Sequence, residues 1–349
     1  MERNLWDESR EASLFVKEVI EKIDDYKLFP EESFQKIIQG IIATSEIDTQ
    51  GEALTFEDLQ HITEQTNKGI KWMGAEHNPL IHTIGRVISV KLFYAPKSQV
   101  YFIGALIGYY DASKLPNFQK LGIEVKRLDS KDISRFQVED SEYSIKLAFN
   151  KHEINPEIIE KLLSEAPPYI DKRPIKSVRK AADPIVILSL MISLNFILGP
   201  FFKEYFGTLG RKAAESTISF LKWIKEKLTK ENYNLIKKKI IYNFIVPYEE
   251  CLIEFAIEKM DKELSDEAID SLPVAIRSAL SLVDKMRQFE IQRLVYEYDD
   301  DQKCWLPLHA ITKKVGVIAE KPLTIDLNKY RGFSIGAQVF PDKSNSEEE

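Results

Sequence analysis

Residues 184–202, with the sequence PIVILSLMISLNFILGPFF, contain no charged side chain and are almost wholly aliphatic or aromatic. Because an α-helix rises 1.5 Å per residue, about 19 residues reach about 28 Å, close to the hydrocarbon thickness of a bilayer. Mixed helix and strand patterns precede and follow this run. We therefore predict a helix here, which forms either a membrane span or an unusually apolar buried helix.

Two features of the run favour different environments. Basic residues flank it on both sides and suit a membrane span, because their side chains can reach lipid phosphate groups. Asn195 and Gly199-Pro200 favour a buried helix, because an amide is costly in lipid and Gly-Pro bends or ends a helix. If the run spans a membrane, the residues expected to insert are Ile187, Leu190, Leu194, Asn195 and Ile197.

A lysine-rich amphipathic stretch follows the apolar run and extends to residue 245. It is predicted to be helical, with three possible environments. Its lysines form the solvated face of a packed helix, lie against an anionic membrane surface, or form a nucleic-acid patch, and the acidic total of the chain argues against the third. In the second case the residues expected at the membrane surface are Lys222, Trp223, Lys225, Lys237 and Lys238.

Composition limits the class of protein. The formal net charge of −7 argues against a general nucleic-acid binder, so no nucleic-acid partner is expected. The two cysteines, Cys251 and Cys304, lack metal-ligand neighbours and suit a reducing compartment, and we expect neither a metal nor another cofactor. The opening residues MERNLWDESREASLF are charged where a secretory signal is apolar. The expected location is therefore the cytoplasm or the cytoplasmic face of a membrane.

Residues 1–70 are predicted to be a helical N-terminal region. A second helix is expected to begin at Pro30, because the apolar residues of 34–42 can share one helical face. Thr55 and Asp58 resemble a capping box and predict the start of a third helix.

Residues 71–165 are predicted to form a compact, mostly antiparallel α+β domain. Residues 86–94 alternate in polarity and are rich in β-branched side chains, and residues 99–110 return as a second strand after a turn. Shorter strands are expected at 123–127 and 143–149, and a helix at 156–165. A Pro-rich linker over residues 166–183 then leads to the apolar run.

Residues 246–340 are predicted to be a second α+β domain, with a helix over 265–289 and an acidic, disordered tail at 341–349. Its expected strands are 291–298, 304–308, 311–319 and 333–340, with the aspartates 299–301 at a hairpin tip. The predicted fold class is thus α+β. It combines a small, mostly antiparallel sheet domain, central hydrophobic and amphipathic helices over 184–245, and a second α+β domain.

Short motifs in the first sheet domain resemble a known enzyme family. The residues AEHNP at 75–79 and IGRV at 84–87 are similar to the segment that carries the catalytic histidine in the serine proteases that mature tailed-phage proheads. The residues SIKLAF at 144–149 occupy the place of that family's strand with the nucleophilic serine. The resemblance implies that His77 acts as the base and Ser144 as the nucleophile.

Two positions within residues 75–150 depart from that family. Asn78 stands where the family has aspartate, and Lys146 stands where a small residue would leave room for the oxyanion. The resemblance therefore implies either a soluble serine endopeptidase or an inactive version of the fold that is used for binding. His61 and His309 have no partner that the sequence identifies, and both are expected to be incidental.

Two function classes follow from these patterns. The first is a membrane-anchored or membrane-acting regulatory or effector protein, for example in cellular anti-phage defence, whose flanking domains sense or assemble. Its expected partners are membrane lipid and either further copies of the chain or another protein. The second class is the protease or its inactive binding version. The classes differ in whether His77 and Ser144 lie on neighbouring strands of one sheet.

Overall fold

The computed structural model has an α+β fold that divides into two compact units. Unit 1 contains residues 1–77, 83–115 and 323–349, and unit 2 contains residues 78–82 and 116–322. The structure describes residues 4–47, 53–75, 78–125, 145–150, 157, 160–161, 164, 175–177, 185–192, 222–223, 239–259, 266–322 and 333–335.

Unit 1 is built on an antiparallel sheet with the strand order β1-β4-β3-β2-β13. Its strands are β1 (Phe34–Thr44), β2 (Trp72–Ala75), β3 (Gly85–Ala95), β4 (Val100–Tyr110) and β13 (Phe333–Ile335). Its helices are α1 (Leu5–Glu8), α2 (Arg10–Glu21) and α3 (Phe56–Asn67).

The alternation of side chains along β3 and β4 gives this sheet two apolar faces. Phe93 and Phe102 point to one face, where both rings lie 5.9 Å from the ring of Trp6 on α1. The Tyr101 side chain points to the opposite face and packs against Phe56 of α3, with the two ring centroids 5.0 Å apart. Helices therefore pack against both faces of the sheet.

A buried ion pair lies inside unit 1. The Glu32 carboxylate accepts both the Nε and Nη2 hydrogens of Arg86, at 2.7 and 2.9 Å. The same carboxylate accepts the Tyr110 hydroxyl at 3.0 Å and the Leu28 backbone N–H at 2.9 Å. Burial raises the pKa of Tyr110 well above its ordinary value, and the negative Glu32 adds to this effect. Each oxygen of this carboxylate thus accepts two hydrogen bonds, which offset the cost of burying its charge.

Unit 2 is built on an eight-stranded mixed sheet with the order β12-β11-β10-β9-β8-β7-β5-β6. Its helix α4 (Asp266–Lys285) joins β9 to the parallel strand β10 and packs against β9, β10 and β11. The strands are β5 (Ile145–Asn150), β6 (Ile175–Ser177), β7 (Ile185–Ile192), β8 (Lys239–Tyr248), β9 (Cys251–Lys259), β10 (Ile291–Asp299), β11 (Cys304–Thr312) and β12 (Gly316–Ala319).

The prediction of a helix across residues 184–202 is wrong for Ile185–Ile192, which form β7. This strand lies inside the sheet, parallel to β8 and antiparallel to β5. A strand with a parallel neighbour inside a sheet is often continuously apolar, so an uncharged run does not distinguish it from a helix. Ile187 and Leu190 belong to β7, whereas Leu194, Asn195 and Ile197 lie outside the described residues. No helix in the described part of the chain is both long and apolar enough to cross a membrane.

Three further predictions are wrong for a related reason, namely strand pairing between distant residues. Residues 34–42, expected as a helix, lie in β1 and pair with β4, so residues 1–70 and the next strands build one sheet. The expected linker 166–183 contains β6, which pairs with β5. Residues 333–335, expected to join the C-terminal sheet, pair with β2 in unit 1.

The locally encoded elements are confirmed. Thr55 and Asp58 form both hydrogen bonds of the capping box at the start of α3. The strands predicted at 86–94, 99–110, 143–149 and 291–298 are present as β3, β4, β5 and β10, and the helix predicted at 265–289 is present as α4 with a following 3-10 turn.

We predict that Glu32→Ala lowers the free energy of unfolding of unit 1 by about 3–5 kcal/mol, because it leaves the Arg86 guanidinium buried without its carboxylate. Urea denaturation followed by circular dichroism measures the change. The neighbouring exposed residue provides the matched control, since Glu31→Ala removes a carboxylate from solvent and should change the transition little. Equal effects of the two substitutions would contradict the assignment.

Candidate functional site

A row of polar side chains crosses one face of the eight-stranded sheet. Its members are Asn243 on β8, Glu254 on β9, Arg293 on β10 and His309 on β11. Their sequence neighbours Tyr242, Phe244, Ile253, Phe255, Leu294 and Ala310 belong to the hydrophobic core that includes α4. Because side chains alternate along a strand, the polar row lies on the face opposite α4.

The centre of the polar row is a bidentate ion pair. Glu254 Oε1 accepts Arg293 Nε–H at 2.6 Å, and Glu254 Oε2 accepts Arg293 Nη2–H at 2.9 Å. On the other side of the carboxylate, Asn243 Nδ2 donates to Glu254 Oε2 at 2.8 Å. Glu254 and Asn243 are buried. Such planar pairs are strong and orient both side chains, although burying the charges is costly.

His309 forms the end of the polar row on β11 and is fully buried. Its Nε2 lies 2.8 Å from the backbone oxygen of Pro79. A carbonyl oxygen accepts but cannot donate, so Nε2 carries the hydrogen of the neutral ring and Nδ1 presents a lone pair. Burial and, to a smaller extent, the positive charge of Arg293 together lower the pKa of His309 from 6.5 to about 3. The ring is therefore neutral across the physiological range.

Residues 78–82, with the sequence NPLIH, contact the same face of the sheet as the polar row, and we call them the covering segment. The segment reaches β11 through the Pro79 carbonyl and reaches β8 and β9 through Leu80, which packs against Ile241 and Ala256. It also makes hydrogen bonds within itself. Asn78 Oδ1 accepts from Leu80 N at 2.9 Å, and Asn78 O accepts from Ile81 N at 3.1 Å.

Two acceptor atoms of the polar row have no hydrogen-bond partner within the described residues. They are Asn243 Oδ1 and His309 Nδ1, at opposite ends of the row. Three strand spacings separate β8 from β11, which places the two ends about 14 Å apart. A buried acceptor that stays unpaired costs about 1–3 kcal/mol. Among the described residues, the covering segment therefore leaves part of the hydrogen-bonding capacity of the polar row unused.

The proposed catalytic pair is not tested directly, because His77 and Ser144 lie outside the described residues. Their flanking strands belong to different sheets. β2 ends at Ala75 in the five-stranded sheet, and β5 begins at Ile145 in the eight-stranded sheet. The expectation that the two motifs flank one antiparallel sheet is wrong, and the catalytic pair stays a prediction. Asn78 accepts the Leu80 backbone N–H and so holds the turn of the covering segment.

Two of the residues expected at a membrane surface contact the protein instead. Lys222 Nζ lies 2.9 Å from Asp270 Oδ1 on α4. Trp223 is partly buried and packs against the core that includes α4. Lys225, Lys237 and Lys238 lie outside the described residues, so the membrane-surface role of this stretch stays a prediction.

The polar row was not recognised from the sequence, and His309 was interpreted as incidental. Single polar residues inside apolar strands were the available signal, since Asn243 interrupts IIYNFIV and Glu254 interrupts CLIEFAI. Such a residue on a buried strand must find a partner on another strand. No periodicity shows which partner it is.

The described residues hold no group of three or more histidine, cysteine or acidic side chains that could bind a metal ion. Comparison of the chain with protein-family models, curated proteins and solved structures finds no match. The function is therefore inferred from the geometry of the polar row and its covering segment.

We predict that the protein loses stability in acid through His309. Between pH 6.5 and about 3 the unfolded chain binds a proton at this residue that the folded chain does not, so stability falls as the pH falls. At about pH 5 the loss from this group is about 2 kcal/mol, at 1.36 kcal/mol per pKa unit.

His309→Gln tests this, because the amide can still donate to the Pro79 carbonyl but does not titrate. The difference in unfolding free energy between pH 7 and about 5 should shrink by about 2 kcal/mol in this variant, measured by urea denaturation. The exposed His61 supplies the control, since His61→Gln should leave the difference unchanged. An unchanged difference in His309→Gln would show that the ring is not held neutral.

Proposed function

We propose that this protein is a non-catalytic regulatory protein whose eight-stranded sheet binds a protein segment on its polar row. In the closed state the chain's own covering segment occupies that row. A partner segment replaces it in the open state. This proposal develops the inactive, binding version of the fold that the sequence implies, and it does not require membrane insertion.

The polar row beside the covering segment is the observation that carries the proposal. A core that served stability alone would gain from apolar residues here, because a well-packed apolar replacement of a buried ion pair is often neutral or stabilising. The row instead keeps a charged pair, a neutral histidine and two acceptors that have no partner in the described part of the chain, beside five residues of irregular structure. Perturbed and partly satisfied polar groups of this kind are typical of binding sites.

The covering segment is suited to leave the sheet. Its Leu80 and Ile81 amides donate to Asn78, so these two hydrogen bonds need no partner on the sheet. Pro79 has no backbone N–H and therefore leaves no donor unpaired when it is buried or released. Leu80 supplies apolar contact while remaining partly exposed. These features make opening cheaper than the removal of a hydrogen-bonded strand.

Hydrogen exchange followed by mass spectrometry tests whether the segment opens by itself. Amides of residues 78–84 should exchange at least about tenfold faster than those of β9 and β10, because a local opening needs less free energy than global unfolding. Leu80→Ala removes the contact with Ile241 and Ala256 and should speed the exchange of the segment about tenfold, with β9 and β10 unchanged.

The matched control is Leu28→Ala, which shortens an exposed leucine of unit 1 and should leave the exchange of residues 78–84 unchanged. Exchange of the segment and of β9 at one common rate, in both the wild type and Leu80→Ala, would contradict the proposal. The segment would then be an ordinary part of the core.

A further inference from the structure

We infer that the partner is a second copy of this chain, whose covering segment binds the polar row in place of the resident one. The inference rests on the proposed function and specifies what enters the open site. Each copy would then supply the uncharged acceptor carbonyl of Pro79 and the aliphatic side chain of Leu80 to the sheet of the other.

The grouping of contacts along the chain supports exchange. Residues 78–82 are grouped with unit 2, whereas the residues before and after them are grouped with unit 1. The five residues of the segment thus belong to unit 2, although the sequence on both sides of them belongs to unit 1. A second copy carries the same five residues. Exchange therefore keeps every contact between the segment and the sheet and needs no additional complementary surface.

The chemistry of the open row selects for such a segment. When the covering segment leaves, His309 Nε2–H loses its acceptor, and the contact of Ile241 and Ala256 with Leu80 is lost. A replacement must present a carbonyl oxygen to His309 and an aliphatic side chain to β8 and β9. It must also avoid adding charge, because the carboxylate of Glu254 is already neutralised by Arg293. The Pro79 carbonyl and the Leu80 side chain meet the first two conditions, and the segment contains no carboxylate, lysine or arginine.

Concentration decides between the two arrangements. Binding within one chain is favoured by an effective concentration of roughly millimolar for a short connection. Exchange between wild-type copies is therefore rare until closure within the chain is weakened. A test must therefore prevent closure within each chain. It must also leave an intact segment on one molecule and an intact sheet on the other.

Complementation between two defective variants meets this condition. Leu80→Asp impairs the segment but keeps the sheet, because a carboxylate cannot replace the apolar contact with Ile241 and Ala256. Ala256→Leu fills the place of Leu80 on the sheet but keeps the segment. Neither variant can form a closed or exchanged contact with itself. Their mixture contains one intact segment that fits one intact sheet.

Analytical ultracentrifugation gives the readout. Each variant alone should sediment as a monomer of 40.3 kDa, and the equimolar mixture should form a dimer of twice that mass. A mixture of Leu14→Asp with Ala256→Leu is the matched control, because Leu14 is exposed in unit 1 and its variant still closes within its own chain. That mixture should remain monomeric.

If Ala256→Leu does not fold, as judged by circular dichroism, His309→Ala replaces it as the variant with the impaired sheet. A monomeric mixture of folded variants overturns the inference. If hydrogen exchange also shows local opening of residues 78–84, the proposed function stands and its partner is another protein segment. If exchange shows no local opening, the proposed function itself fails.

Discussion

The bidentate pair between Glu254 and Arg293 is the interaction around which the polar row of unit 2 is arranged. It joins β9 to β10, the two parallel strands that α4 connects and covers on the opposite face. A carboxylate and a guanidinium buried together are stable only if their geometry is good and their remaining hydrogen-bonding groups are satisfied. Asn243 satisfies one further lone pair of Glu254, so the hydrogen-bonded part of the polar row extends from β8 to β10.

Two arginine–glutamate pairs among the described residues differ in an informative way, since the Glu32–Arg86 pair is buried whereas Arg293 in the second pair is partly exposed. Around Glu32 and Arg86 in unit 1, the carboxylate also accepts from Tyr110 and Leu28, which completes the network with partners inside one unit. Around Glu254 and Arg293, the network reaches Asn243, whose Oδ1 has no partner within the described residues; the same is true of His309 Nδ1 at the other end of the polar row. A completed network serves stability and specificity, whereas an incomplete one retains capacity for a ligand. This contrast is why the site is assigned to unit 2.

The sequence predicts the structural elements that depend on residues close together in the chain. It does not predict the elements and contacts that depend on residues far apart in the chain. The α3 capping box and the β3–β4 hairpin depend on residues close in the chain, and both were predicted. β1 and β7 were interpreted as helices because short apolar runs fit either period, and the choice is made by pairing with β4, β5 and β8. The hydrogen bond between Pro79 and His309 joins residues 230 positions apart. No local pattern in the sequence encodes that contact.

Electrostatics limits what can occupy the polar row. The chain carries a net charge of −7, so two copies repel at long range, although salt screens this repulsion beyond about 8 Å at physiological ionic strength. The covering segment contains no carboxylate, lysine or arginine, and the Glu254–Arg293 pair on the same face of the sheet is neutral as a whole. His309 adds no charge, because its burial lowers its pKa to about 3. In the proposed exchange, the contact would therefore add little to the repulsion between copies, and its strength would depend on the Leu80 contact and on the hydrogen bond to His309.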